Sequence, residues 1–89
     1  MTVFAALADP TRQRIVEMLA EREIAAGEIA GRFDMTPPAV SQHLKILRTA
    51  GLVRVRAHGQ RRMYALDATA LHEMDAWLER FRRFWPGRP

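Results

Sequence analysis

Apolar positions recur along this chain in short helical stripes, repeatedly interrupted by capping and turn residues. Val3, Phe4 and Leu7 form the first stripe, ahead of Asp9-Pro10, an N-cap followed by proline at the first helical position. A second helix starts there, carries Ile15, Val16 and Leu19 at helical spacing, and ends in the polar stretch Glu21 to Glu23. A third, short helix is predicted over Ala26 to Phe33, with Ile29, Ala30 and Phe33 inward. Its start is poorly capped, since Ala25 stands where Ser or Thr is preferred. After a turn at Asp34-Met35, Thr36-Pro37 repeats the pattern of cap then proline and opens a fourth helix, which stops at Ala50-Gly51.

Beyond Gly51 the period changes to two. Leu52 to Ala57 and Arg61 to Leu66 flank His58-Gly59-Gln60 and predict a β-hairpin with Val53, Val55, Tyr64 and Leu66 on its apolar face. Asp67 caps a last helix expected to extend to about Trp85 before Pro86-Gly87 ends it. Leu71, Met74, Leu78, Phe81 and Trp85 are spaced 3, 4, 3 and 4 along it, an a/d seam, and Ala70, Trp77 and Phe84 extend it to a second side. One side suits the domain and the other a second subunit. The order predicts a mainly α fold with a β-hairpin wing, a winged helix-turn-helix forming one domain over residues 1–89.

Composition narrows the chemistry. The 89 residues are 48% hydrophobic and 27% charged, ordinary globular content for a single thin core. With no Cys, disulfides, thiolate metal sites and cysteine nucleophiles are excluded. No apolar run approaches the ~20 residues of a membrane span, so a soluble, cytoplasmic protein without membrane partners is expected. Charge is uneven: residues 1–34 carry −2, residues 67–89 carry none net, and residues 35–66 carry +6 without a single acid. That middle third is where a polyanion docks.

The fourth helix divides this basic third into two faces. Val40, Leu44 and Leu47 fall within one arc of about 60° and form the buried side. Pro38, Ser41, Gln42, Lys45 and Thr49 lie opposite, with Pro37 and Arg48 at the edge. Gln pairs with adenine edges and Ser with several bases, while Lys and Arg suit phosphate or guanine. The Thr36 hydroxyl and the first free N–H groups are expected to hold a phosphate at the helix start, although Pro37 has none to offer. His43 falls on a flank and is expected to satisfy a local hydrogen bond instead of reading a base. In the hairpin, Arg54, Arg56, His58, Arg61 and Arg62 form a basic wing that follows the backbone or enters a minor groove.

Phe4-Ala5-Ala6-Leu7-Ala8-Asp9-Pro10-Thr11-Arg12 and Pro38-Ala39-Val40-Ser41-Gln42-His43-Leu44-Lys45, with Ala50-Gly51-Leu52-Val53, Gly59-Gln60-Arg61-Arg62 and Tyr64-Ala65-Leu66, resemble the ArsR/SmtB-type bacterial repressors over nearly the whole chain. The resemblance implies a homodimeric winged-helix repressor that binds a palindromic operator in double-stranded DNA and pairs its subunits through the first and last helices. On that analogy the base-contacting positions are Pro37, Pro38, Ser41 and Gln42, and Val3, Phe4, Leu7, Leu71, Met74, Leu78, Phe81 and Trp85 line the dimer interface. The proline pair departs from a pattern with a polar residue at the first position. The absence of Cys places the chain with the thiol-free, non-metal-sensing subgroup, with no cofactor expected and a small-molecule or protein effector left open.

Two alternatives fit the same sequence. A winged-helix protein-interaction module would dock a partner on the fourth helix, and its binding would not weaken steeply with salt as DNA binding does. A metal-responsive repressor would use His72 and Asp75, at i and i+3 of the last helix, gathered about a two-fold axis. An enzyme is not expected, because His43, His58 and His72 fit no ligand spacing and no nucleophile–base pair is evident.

Overall fold

The computed structural model describes residues 2–87. Its elements run α1 (Thr2–Ala6), α2 (Pro10–Leu19), β1 (Ile24–Ala25), α3 (Ala26–Ala30), α4 (Pro37–Thr49), β2 (Val53–His58), β3 (Arg61–Leu66) and α5 (Ala68–Glu79), followed by a 3-10 turn at Arg82–Phe84. The mainly α fold with a β-hairpin wing is therefore present, and α3, its turn and α4 form the helix-turn-helix.

The helix starts follow the caps. Asp9 Oδ2 accepts from Arg12 N at 3.0 Å, Thr36 Oγ1 from Ala39 N at 3.3 Å and Asp67 Oδ1 from Thr69 N at 2.9 Å, each satisfying a donor the helix itself leaves free. Ala25 makes no such bond, and α3 is correspondingly a single turn. It ends at Ala30 instead of Phe33, because Gly31 weakens the helix and Arg32 and Phe33 bond back only three residues, to Ile29 and Ala30. The connection to α4 thus spans residues 31–36 and not just Asp34-Met35.

At the other end of α4, Gly51 takes φ +80°. Its N–H donates to Arg48 O and that of Leu52 to Leu47 O, both at 3.0 Å, so the last carbonyls are paired in a Schellman arrangement. Leu47 and Leu52 are both fully buried, which anchors the turn in the core. The hairpin then closes on the two residues Gly59-Gln60, with positive φ at the first only, as a II′-like turn requires.

The sheet has a strand the sequence reading lacked. β1 pairs antiparallel with β3 through Ile24↔Tyr64 and Ala25↔Met63, giving the order β1-β3-β2. In β2 and β3 the register Val53↔Leu66 and Val55↔Tyr64 places the expected apolar residues on one face. They join Ile15, Leu19, Ile29, Val40, Leu44, Leu47 and Leu52 in a single core with no buried polar side chain among the described residues.

The last helix is shorter than its seam suggested. It stops at Glu79, where Arg80 and Phe81 bond to Trp77 O and Leu78 O in 3-10 fashion. Phe81 lies in the turn and Trp85 beyond the 3-10 segment, so neither continues the a/d seam. Leu71 and Met74 are the last α5 side chains packed on the buried core; beyond them Trp77 packs on Phe4 and Phe81 and stays 39% exposed. Leu7 likewise sits just past α1, in the turn leading to Asp9.

Candidate nucleic-acid interface

The core fixes which face of α4 is free. Val40, Leu44 and Leu47 are buried, and Pro37, Pro38, Ser41, Gln42, Lys45, Arg48 and Thr49 are exposed, as the helical angles require. Thr36 is exposed at the N-terminus of α4 with its hydroxyl already accepting from Ala39 N. Pro37 and Pro38 carry no N–H, Ala39 N–H is taken by the Thr36 hydroxyl and Val40 N–H by Thr36 O, so the helix start offers no free backbone donor for the phosphate that the sequence suggested there.

Strand alternation splits the wing. Arg62 lies on the same face of β3 as Tyr64, and with Ser41, Leu44, Lys45, Arg48 and Ala26 it lines an open cleft of about 400 Å³ between α4 and the sheet. Three cations and a serine hydroxyl therefore converge where the recognition face meets the wing. Arg54, Arg56, His58 and Arg61 lie on the opposite face or at the hairpin tip. Arg54 donates from Nη1 to Leu66 O at 2.9 Å, and Arg56 is held in a two-pronged ion pair with Glu23. His58 and Arg61 are exposed, paired across the turn. Sequence reasoning grouped all five; the register separates them.

His43 is engaged inside the domain. Its Nδ1 lies 3.2 Å from Arg12 Nη1 and 3.8 Å from Asp9 Oδ2, while Arg12 Nε also donates to Ala6 O. This junction joins the end of α1, the cap of α2 and the flank of α4. The Asp9 carboxyl is held below its ordinary value first by the Arg12 backbone N–H and also by the His43 and Arg12 charges. No position-by-position reading exposed this link, because Arg12 and His43 are 31 residues apart.

On α5 His72 and Asp75 both lie exposed on the helix surface. The Asp75 carboxylate is ion-paired with Arg82, and no group of three or more metal-ligating side chains occurs among the described residues. Toward the chain end, Phe4 packs edge-on to Trp77 at 5.2 Å between centroids and Trp77 lies 4.8 Å from Phe81. Trp77, Phe84 and Trp85 stay 39%, 65% and 43% exposed, beside the contact of α1 with α5. Of the expected interface residues, Val3 is buried in this subunit's own core and Phe4, Leu7, Leu71, Met74, Leu78 and Phe81 are half-buried.

Residues 9–55, from the cap of the second helix to midway along the first wing strand, match the family model described as bacterial regulatory protein, arsR family. The HTH-type transcriptional regulator Rv2034 of Mycobacterium tuberculosis is 53% identical over 76 residues, covering 85% of this chain and 71% of that protein. The transcriptional repressor SdpR of Bacillus subtilis is 37% identical over 79 residues, covering 89% and 88%. Among solved structures, an ArsR family transcriptional regulator, RHA00566, superposes with a TM-score of 0.86 at 31% identity over 99% of this chain and 91% of that one. The chain thus belongs to the ArsR family, DNA-binding transcriptional regulators of bacteria and not enzymes.

Proposed function

We propose that the chain is a homodimeric repressor of a palindromic operator, read through the outward face of α4. The carrying observation is that Ser41, Gln42 and Lys45 are exposed on α4 away from its buried face, and that Ser41 and Lys45 border the cleft lined also by Arg48 and Arg62. Ser41 and Gln42 contact base edges, Pro37 and Pro38 fit the groove by shape, and Lys45, Arg48 and Arg62 hold phosphates, with Thr36 positioning the helix start. Arg54, His58 and Arg61 contribute positive potential along the wing. Repression is favoured by the likeness to SdpR, whose name records that activity.

A second copy of the chain covers the aromatic surface formed by Phe4, Trp77, Phe81, Phe84 and Trp85, pairing α1 and α5 about a two-fold axis. That axis places two copies of α4 on successive major grooves of one duplex face, in the cytoplasm where the operator lies. With no Cys in the sequence, release from DNA is triggered through a partner or an apolar ligand and not through thiolate chemistry, as in a thiol-free subgroup of the family.

Selection of bound duplexes from a random pool tests the reading. Enrichment of two inverted half-sites centred about 10 bp apart, or a multiple, is the expected result. No enrichment, or a single asymmetric site, would refute it.

A further inference from the structure

One arginine of the wing is already occupied. Arg56 of β2 donates from Nε to Glu23 Oε2 at 2.9 Å and from Nη2 to Glu23 Oε1 at 2.6 Å, the two-pronged geometry in which a carboxylate fills the guanidinium fork. Glu23 is 33 residues away in sequence and immediately precedes β1. Arg56 and Ala25 are both registered on Met63 of β3, so the ion pair passes over the central strand and joins the two outer ones. Without it β1 is held to β3 by only two residue pairs. The Glu23 carboxyl is kept below its ordinary value chiefly by the hydrogen bond from Arg56, so the pair stays charged through the neutral range. Arg62 alternates onto the other face, into the cleft with Lys45 and Arg48, and no carboxylate lines that cleft.

We propose that Glu23 is a positioning residue for DNA binding: its carboxylate withholds Arg56 from the phosphate backbone and fixes the wing at the angle that delivers Arg62 to the duplex. The inference rests on the DNA-binding reading of α4 and the wing. It gives two arginines of one hairpin different work, Arg62 as a phosphate contact and Arg56 as the internal partner of Glu23. An arginine that neutralises a phosphate releases a counterion, and its loss lowers the salt slope by about 0.9. An arginine that only holds the wing changes affinity and leaves that slope alone. An exposed ion pair is worth at most about a fivefold change, so the loss is modest and must be read against a matched control.

The test uses the full chain and the duplex it selects from the random pool, with affinity measured across a salt series and thermal unfolding confirming that each variant is folded. Arg62→Gln is expected to flatten the salt slope by about 0.9 per subunit, about 1.8 for the dimer on its duplex. Arg56→Gln and Glu23→Gln are expected to weaken binding about threefold without flattening it. Arg56→Glu weakens binding further, and adding Glu23→Arg restores at least half of that loss on a logarithmic scale by rebuilding the pair in reverse. Adding Glu23→Arg to Arg62→Glu restores less than half, because those two side chains do not meet. A flattened slope in Arg56→Gln, a swap that restores less than half, or equal rescue of Arg62→Glu overturns the proposal. A parent protein that enriches no duplex refutes the DNA reading itself, and this role falls with it.

Discussion

Truncating Leu47 to alanine removes three carbons from a side chain that is 0% exposed, whereas truncating its neighbour Ile46 trims one that is 38% exposed on the same helix. At about 0.8 kcal/mol per buried methylene the Leu47 change costs roughly 2.4 kcal/mol in transfer alone. The cavity it leaves brings the total to roughly 3 kcal/mol, near the lower end for Leu→Ala because a thin core collapses readily. Ile46→Ala is expected to cost less than about 1 kcal/mol. For a domain of this size each kcal/mol moves the midpoint by roughly 4–8 °C, so Leu47→Ala lowers Tm by roughly 12–24 °C. Far-UV circular dichroism melts of both variants, at one fixed protein concentration so that self-association does not shift the midpoint, provide the comparison. Equal shifts in the two variants would mean that α4 is not seated as described and that its outward face is wrongly assigned.

Other outcomes follow from the same geometry. Trp77→Glu puts a charge in the exposed aromatic surface without touching the buried core, and sedimentation is expected to show a dimeric parent and a monomeric variant; a variant that stays dimeric excludes this interface. Asp9, Glu23, Glu28 and Asp67 all have carboxyls held below ordinary values of 3.8 or 4.5, chiefly by the Arg12 N–H, Arg56, Arg22 and the Thr69 N–H in turn. Depressed folded-state pKa values add stability that is complete above the unfolded values and lost as pH falls through the folded ones. Tm is therefore expected to hold from neutral pH to about 5 and to fall below about 4.5; a Tm that rises on acidification contradicts the pairings.

Much of the architecture could be read in advance because it is locally encoded. Asp9-Pro10, Thr36-Pro37 and Asp67 each start a helix by a side chain acting on its own next turn, and Gly51 ends one by its own backbone. The face of α4 follows equally directly, since a single period relates Val40 and Leu44 to Ser41 and Gln42. What escaped depends on distant parts of the chain. β1 is two residues long, too short to show alternation, and exists only because Tyr64 and Met63 offer it an edge. α5 ends at Glu79, soon after its last core contacts at Leu71 and Met74, although the seam spacing continues to Trp85. The wing arginines look alike in sequence; the register of β2 on β3 and the presence of Glu23 beside it assign them to different faces and partners.

On the proposed function the outward face of α4 reads base edges while the adjoining cleft holds the backbone. Binding of Gln42→Ala and Arg62→Ala to every single-base-pair variant of the selected duplex, and to random duplex, tests it most directly. Gln42→Ala is expected to erase about 1–3 kcal/mol of preference at one base pair per half-site and to leave random-duplex binding nearly intact. Arg62→Ala is expected to weaken all duplexes alike and flatten the salt slope by about 0.9 per subunit, about 1.8 for the dimer. Proportional losses on specific and random duplex in both variants would contradict the account.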